Sequence, residues 1–453
     1  MNSSTIAAIS TPHGEGGIGV IRISGKDAIL VADKVFCALN GKTLQNAEGY
    51  TALYGKVKND KGDIDEAVAL VFRAPKSYTG EDVVELSVHG GMYVVKETLR
   101  AVLSAGAKPA ERGEFTRRAF LNGKLDLIEA EAVMGIISAS GEKTQRAALS
   151  LKDGAASKQV ERIKSNLLTA AAGLAVYSDY PDDELPEFST ETLENALSSA
   201  KNDLSEMLKN YDAGKILREG VNAVIAGRPN VGKSTLMNAL SGCTRSIVTS
   251  IAGTTRDVVE DTVILGDIKL NLSDTAGLRE TDDEIEKIGV GISRSKIETA
   301  GLIIAVFDGS KPADSEDLSL IELCRTRPSV AVVNKNDLES QFDISLLKDI
   351  PTAVISAEDT ACVEAISKIV AEVCGTYMLD GSETLLCSER QRNCCESAKA
   401  YVSEALGLLK GGVTLDAVSV AIDDALAELL SLTGERVTNA VVDEVFSKFC
   451  VGK

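Results

Sequence analysis

One stretch restricts the fold more than any other: "VNAVIAGRPNVGKSTLMNALSG", from Val221 to Gly242. An apolar run (Val221 to Ala226) leads into Gly227-Arg-Pro-Asn-Val-Gly232-Lys233-Ser234 and then into a helical pattern. That order calls for a strand, a glycine-rich turn and a helix, with backbone N–H groups converging at the helix N-terminus. Such a turn suits phosphate. Asn230, Val231 and Gly232 line the loop, Lys233 puts a cation near the β- and γ-phosphates, and Ser234 and Thr235 open the helix. The Ser234 hydroxyl can ligate Mg²⁺.

Further motifs follow in order. "LNLSDTAGLRE" reads as a strand ending at Asp274-Thr-Ala-Gly277, where the acid can hold Mg²⁺ through water and the glycine N–H can sense a γ-phosphate. "VAVVNKNDL" ends in Asn334-Lys335-Asn336-Asp337. The Asp337 carboxylate can accept from guanine N1–H and the 2-amino group, a donor pair that adenine lacks. "AVISAED" places Ser356 and Ala357 after another strand, where a backbone amide can meet the guanine oxygen. Between the first two motifs, "IVTSIAGTTRDVVED" supplies Thr255 to complete Mg²⁺ coordination. The set predicts a Ras-like P-loop GTPase domain with ligand at the carboxyl ends of parallel strands. Leu278 stands where many small GTPases carry a water-orienting glutamine. Hydrolytic chemistry then falls to the acids Asp282 to Glu286, Arg256, Arg279 or a bound cation.

At 453 residues the chain exceeds one core, so two or three domains are expected. The most apolar stretch, "GLIIAVFDG", is the length of one buried strand, and no run approaches a membrane span. The N-terminal "MNSSTIAAIST" has no basic-then-apolar leader, which reads as mature and cytoplasmic. Nine cysteines without a Cys-x-x-Cys pair, beside two histidines, leave a zinc site few ligands, and eight of the nine read as reduced, mostly buried thiols. A net charge of −19 argues against nucleic-acid binding through bulk electrostatics. The best local basic patch is Arg112, Arg117, Arg118 and Lys124.

Around the GTPase motifs the pattern changes. "GIGVIRISG" alternates like a half-buried strand, "YTALYGKVKN" and "DEAVALVFRA" form a hairpin, and "VVELSVHGG" leads into a helix from Tyr93 to about Ser104. The expected organisation is an N-terminal α+β domain over 1–118, helical sequence over 119–217, the inserted GTPase over 218–378, and returning helical sequence over 379–453. The two helical runs are expected to pack as one discontinuous domain.

"TPHGEGGIGVIRISG", "SYTGEDVVELSVHGG", "RGEFTRRAFLNGKLDLIEAEA", "GRPNVGKSTLMNAL", "TSIAGTTRD", "DTAGLRE" and the terminal "FCVGK" together resemble the bacterial tRNA-modification GTPases of the MnmE (TrmE) family over nearly the whole chain. The resemblance implies an aminomethyltransferase-like folate-binding N-terminal domain that also forms the homodimer. It implies GTP-dependent G-domain dimerisation and a heterotetramer with the FAD-dependent partner MnmG (GidA). It further implies modification of the wobble uridine of certain tRNAs at C5, to aminomethyl or carboxymethylaminomethyl, with 5-formyl- or methylene-tetrahydrofolate as one-carbon source. Carried over residue by residue, folate would meet Arg22, Glu85, Lys124 and Lys453. K⁺ would be held by Asn230 and by the loop of Thr249, Ile251 and Thr254, and Glu286 would position the water. Val451 stands where isoleucine or leucine is usual, and "CSERQRNCCESA" lacks a histidine often found after its arginines.

In the terminal "EVFSKFCVGK", Val445, Phe446 and Phe449 fit one face of a last helix. Cys450 lies fourth from the end, but Gly452 and Lys453 fit a prenylation signal poorly. The resemblance instead brings Cys450 to the one-carbon donor as nucleophile or acid–base group. Two other functions fit less of the chain: a ribosome-assembly GTPase with RNA-binding flanks, and a folate aminomethyltransferase acting alone under GTP control.

Overall fold

The computed structural model describes residues 4–179, 190–243, 261–272, 300–359, 361–377, 379 and 385–453. Contacts divide the chain into two compact units. The first comprises Met1–Met134, Val160–Leu168 and Val420–Lys453; the second comprises Gly135–Gln159 and Thr169–Ser419.

The first unit is built on seven strands: β1 (Ile6–Ile9), β2 (Gly16–Ser24), β3 (Phe36–Ala38), β4 (Thr51–Asn59), β5 (Gly62–Phe72), β6 (Val83–Gly90) and β7 (Lys108–Pro109). Their order is β3-β4-β5-β6-β2-β1-β7. Pairing is antiparallel except for the short parallel contact of β7 with β1. Alternation decides which face is covered: Leu53 and Val57 of β4 and Ala67, Ala69 and Val71 of β5 turn inward. They meet helices Ala28–Val35 and Met92–Ser104, whose Val31, Val35, Val95 and Val102 complete the core. The expected hairpin is β4–β5, with Thr51 opposite Val71 and Asn59 opposite Gly62.

A second cluster in this unit joins distant parts of the chain. Leu127 and Ala130, from helix Leu127–Ser138, pack with Val442, Val445, Phe446 and Phe449. Val442, Val445 and Phe446 belong to the last helix, Asn439–Ser447, which Thr438 caps by accepting from Val441 N.

In the second unit, β8 (Val221–Ala226), β9 (Asp261–Leu265), β10 (Ile268–Leu272), β11 (Leu302–Asp308), β12 (Ser329–Asn334) and β13 (Thr352–Val354) form one sheet in the order β13-β12-β11-β8-β10-β9. Only the β9–β10 pair is antiparallel. Every residue of β11 and of β12 is buried, as expected of strands covered on both faces. One apolar cluster holds Leu236 and Leu240 of helix Lys233–Cys243 and Ile366 and Val370 of helix Cys362–Val373. Another holds Phe307 with Ile321 and Phe342. Helix Thr190–Lys209 packs along helix Glu389–Lys410 within this unit.

No described helix is long and apolar enough to cross a membrane. The eight cysteines among the described residues for which a state is assigned are free thiols. Burial pushes Cys374 up to about 11 and Cys395 up to about 12.

Candidate functional site

At the end of β8 the chain turns through 227–232 into helix Lys233–Cys243. Two glycines are required by their surroundings. Gly227 has φ +152°, and a Cβ there would lie 2.3 Å from the Val306 carbonyl oxygen on β11. Gly232 has φ +100°, and its Cβ would lie 2.1 Å from Asn334 Nδ2. Asn230 takes the left-handed conformation at φ +64° with its side chain exposed. The Lys233 ammonium folds back to donate to the carbonyls of Gly227 (2.8 Å) and Arg228 (2.7 Å). Ser234 and Thr235 are exposed in the first helical turn.

Asn334 ties this loop to the segments expected to meet the base. Its Nδ2 donates to the Val231 carbonyl at 2.9 Å, and its Oδ1 accepts from Ala357 N at 2.8 Å. Asn336 N donates to the Ile355 carbonyl at 3.1 Å, closing the same corner. Asn334 is buried, Asp337 exposed, Ser356 half-buried. Lys335 is left-handed at φ +67°, and its ammonium lies 2.7 Å from Asp308 Oδ2. Burial would raise the Asp308 carboxyl, but Lys335 and Ser310 outweigh it and hold the group below its ordinary value.

Thus Asn230, Val231, Gly232, Lys233, Ser234, Thr235, Asn334, Lys335, Asp337, Ser356 and Ala357 gather beyond the carboxyl ends of β8, β12 and β13. Thr249, Ile251, Thr254, Thr255, Asp274, Gly277 and Glu286 lie outside the described residues.

A second gathering lies in the first unit. Arg22 on β2 and Glu85 on β6 are register partners, and the guanidinium reaches Glu85 Oε1 from both Nε and Nη2 at 2.8 Å. Its Cζ lies 5.5 Å from the Tyr78 ring centroid and 5.6 Å from that of Phe115. The C-terminal residues arrive here along a backbone track. Gly113 N donates to the Cys450 carbonyl at 3.3 Å, Arg112 bridges Val451, and the Gly452 carbonyl accepts from Ser10 Oγ (3.2 Å) and Arg22 Nη1 (3.4 Å). Cys450 is exposed. Burial, then the Arg22 charge, lowers the Lys453 ammonium below its ordinary value against the opposing pull of Glu85 and Cys450.

Two family models match the chain. The model described as "GTP-binding protein TrmE N-terminus" matches residues 5–124, and the MnmE helical-domain model matches residues 127–450. The chain belongs to the MnmE family. Among curated relatives, the tRNA modification GTPase MnmE of Symbiobacterium thermophilum is 42% identical over 459 residues, covering 100% of both chains. That of Acetivibrio thermocellus is 38% identical over 457 residues, covering 99% of both. Among solved structures, the G domain of the T. maritima FeoB iron transporter is similar at 27% identity over 34% of this chain and 98% of its own. Its TM-score of 0.25 gives that likeness no weight.

Lys124 donates from Nζ to the Pro75 carbonyl at 3.2 Å, and Lys453 feels the charges of the paired Arg22 and Glu85. Two of the four residues of the expected basic patch are engaged in ion pairs, while Arg112 and Lys124 are exposed. Arg118 is only 7% exposed and pairs with Glu81 (3.0 Å) and Glu114 (2.8 Å), while Arg117 pairs with Asp443 at 2.9 Å. These arginines serve internal ion pairs because their acids come from a remote loop, the same helix turn and the last helix. Sequence reasoning missed Asp308, although an acid ending the buried run "LIIAVFD" is a visible signal.

Proposed function

We propose that this chain is a K⁺-activated GTP hydrolase that acts with an FAD-dependent MnmG partner in tRNA modification. Together they install the aminomethyl or carboxymethylaminomethyl group at C5 of the wobble uridine, using a reduced folate. The reading keeps the N-terminal domain at 1–118, the helical parts at 119–217 and 379–453, and the GTPase at 218–378. It also keeps the homodimer, the G-domain association and the cytoplasmic location. The observation that carries it is Asn334, which joins the phosphate loop at Val231 to the base-side segment at Ala357 in a chain of this family.

In this reading the loop amides and Lys233 hold the phosphates, Asp337 selects guanine, and the Ala357 region meets the guanine oxygen. Ser234 and Thr255 hold Mg²⁺; Asn230 with Thr249, Ile251 and Thr254 holds K⁺. The exposed Asn230 side chain and the exposed Ser234 hydroxyl fit those duties. The bound cations neutralise charge developing on the phosphates without a partner's arginine. Glu286 orients the attacking water.

In the first unit, both contacts of Arg22 with Glu85 fall on Oε1, so Oε2 can accept from a pterin donor pair. Lys124 and Lys453 serve the acidic glutamate tail of the folate. Cys450, exposed and within charge range of Lys453, presents its thiol to the one-carbon unit. Mass spectrometry of tRNA nucleosides from cells lacking this protein tests the reading. Wobble uridines should lose their C5 group; unaltered nucleosides would overturn the assignment.

A further inference from the structure

The phosphate loop has an anchor that none of the nucleotide motifs accounts for. Arg228, its second residue, is part-buried, with 20% of its side chain exposed. Its Nε donates to Asp317 Oδ1 at 3.0 Å, its Nη2 lies 2.8 Å from Asp317 Oδ2, and its Nη1 pairs with Asp314 Oδ2. Those acids are the capping box of helix Ser315–Cys324. The Asp314 side chain accepts from Glu316 N (2.9 Å) and Asp317 N (3.1 Å), and the Asp317 side chain accepts from Asp314 N (3.3 Å). The Asp317 side chain is fully buried. A helix start could be capped without the guanidinium, and the guanidinium could point to solvent. Here each finishes the other.

We propose that Arg228 is a positioning residue for nucleotide binding: clamped on the Asp314–Asp317 cap, it sets the course of loop 227–232. The loop is then held at three points. Arg228 fixes its start, the Gly227 and Arg228 carbonyls hold Lys233, and Asn334 holds Val231. Asn230 is suspended between the first and last of these. A planar fork gripping a carboxylate from two nitrogens fixes direction as well as distance, which a lysine ammonium cannot do. The proposal deepens the GTPase reading and rests on the loop being the phosphate cradle.

The test is titration of full-length protein with a fluorescent GDP analogue, comparing wild type, Arg228→Lys and the double variant Arg228→Met with Asp317→Asn. The double variant removes both charges, so no lone carboxylate stays buried. GDP affinity should fall about tenfold in the double variant and by less in Arg228→Lys, with the thermal midpoint of nucleotide-free protein unchanged. Affinity within about twofold of wild type in the double variant would overturn the proposal. So would a loss accompanied by a collapsed midpoint, which marks a merely structural part. Wild-type protein that binds no GDP would instead overturn the reading of the loop itself.

Discussion

A methyl group at position 232 would sit 2.1 Å from the Asn334 amide nitrogen, well inside contact distance. Because that nitrogen holds Val231 and the same side chain accepts from Ala357, displacing it disturbs the phosphate and base sides together. A non-glycine residue at φ +100° adds backbone strain of about 1–3 kcal/mol. Gly232→Ala should therefore weaken GTP and GDP alike by at least about tenfold. It should also narrow the preference for GTP over ATP, measured by competitive nucleotide titration. An unchanged preference with weakened binding would confine the effect to the phosphate side. Asp308 works at the same scale, pairing with the Lys335 ammonium; its place at the end of a buried run was visible, but its partner was not until the strands were paired.

Among elements, the last helix has the most to do for its length. Phe446 is 2% exposed, its ring centroid lies 6.2 Å from Phe120 and 5.2 Å from Phe449, and its backbone crowds Gly113. Phe446→Ala removes a fully buried ring, a change that costs about 3–5 kcal/mol. Its expected signature is a lower thermal midpoint of the first unit together with faster protease trimming of residues 448–453. Trimming at the wild-type rate would show that the backbone track alone holds the tail. Phe449, expected on the helix face, joins its cluster from beyond the helix end at Ser447, whereas in Val445 and Phe446 that face was legible. So were the fully buried strands, whose apolar runs leave no other place for them. The two-residue β7 was not, since a strand that short has no period to read. Nor was the burial of Arg118, since Glu81 lies 37 residues away and only the fold brings it near. The site followed the same division. Motif residues that act through backbone conformation were visible in the spacing, whereas the acids that hold them, Asp308, Asp314 and Asp317, needed the sheet and the helix cap to be in place.

For the molecule as a whole, the charge of −19 and the internal pairing of Arg117 and Arg118 leave little exposed cation among the described residues of that helix. Long-range attraction to RNA is then weak, and recognition of tRNA falls to close contacts or to a partner protein. Leu278 points to another whole-molecule property, because a chain without a water-orienting glutamine must draw its hydrolytic charge stabilisation from elsewhere. If K⁺ supplies it as two G domains meet, GTP turnover per chain should be much faster in K⁺ than in Na⁺ at equal ionic strength. It should also rise with protein concentration. Equal rates in both salts would remove the potassium mechanism.

The contact between Ser10 and Gly452 closes a loop of 442 residues. Closing so long a loop through a coil is entropically costly, and the cost falls only once the intervening parts are already compact. The tail should therefore be the last piece to settle during refolding. Protein that has regained its sheets, and even its nucleotide affinity, would still lack the arrangement at Arg22. A preparation judged native by GTP binding alone would then overstate its share of molecules with the C-terminal residues in place.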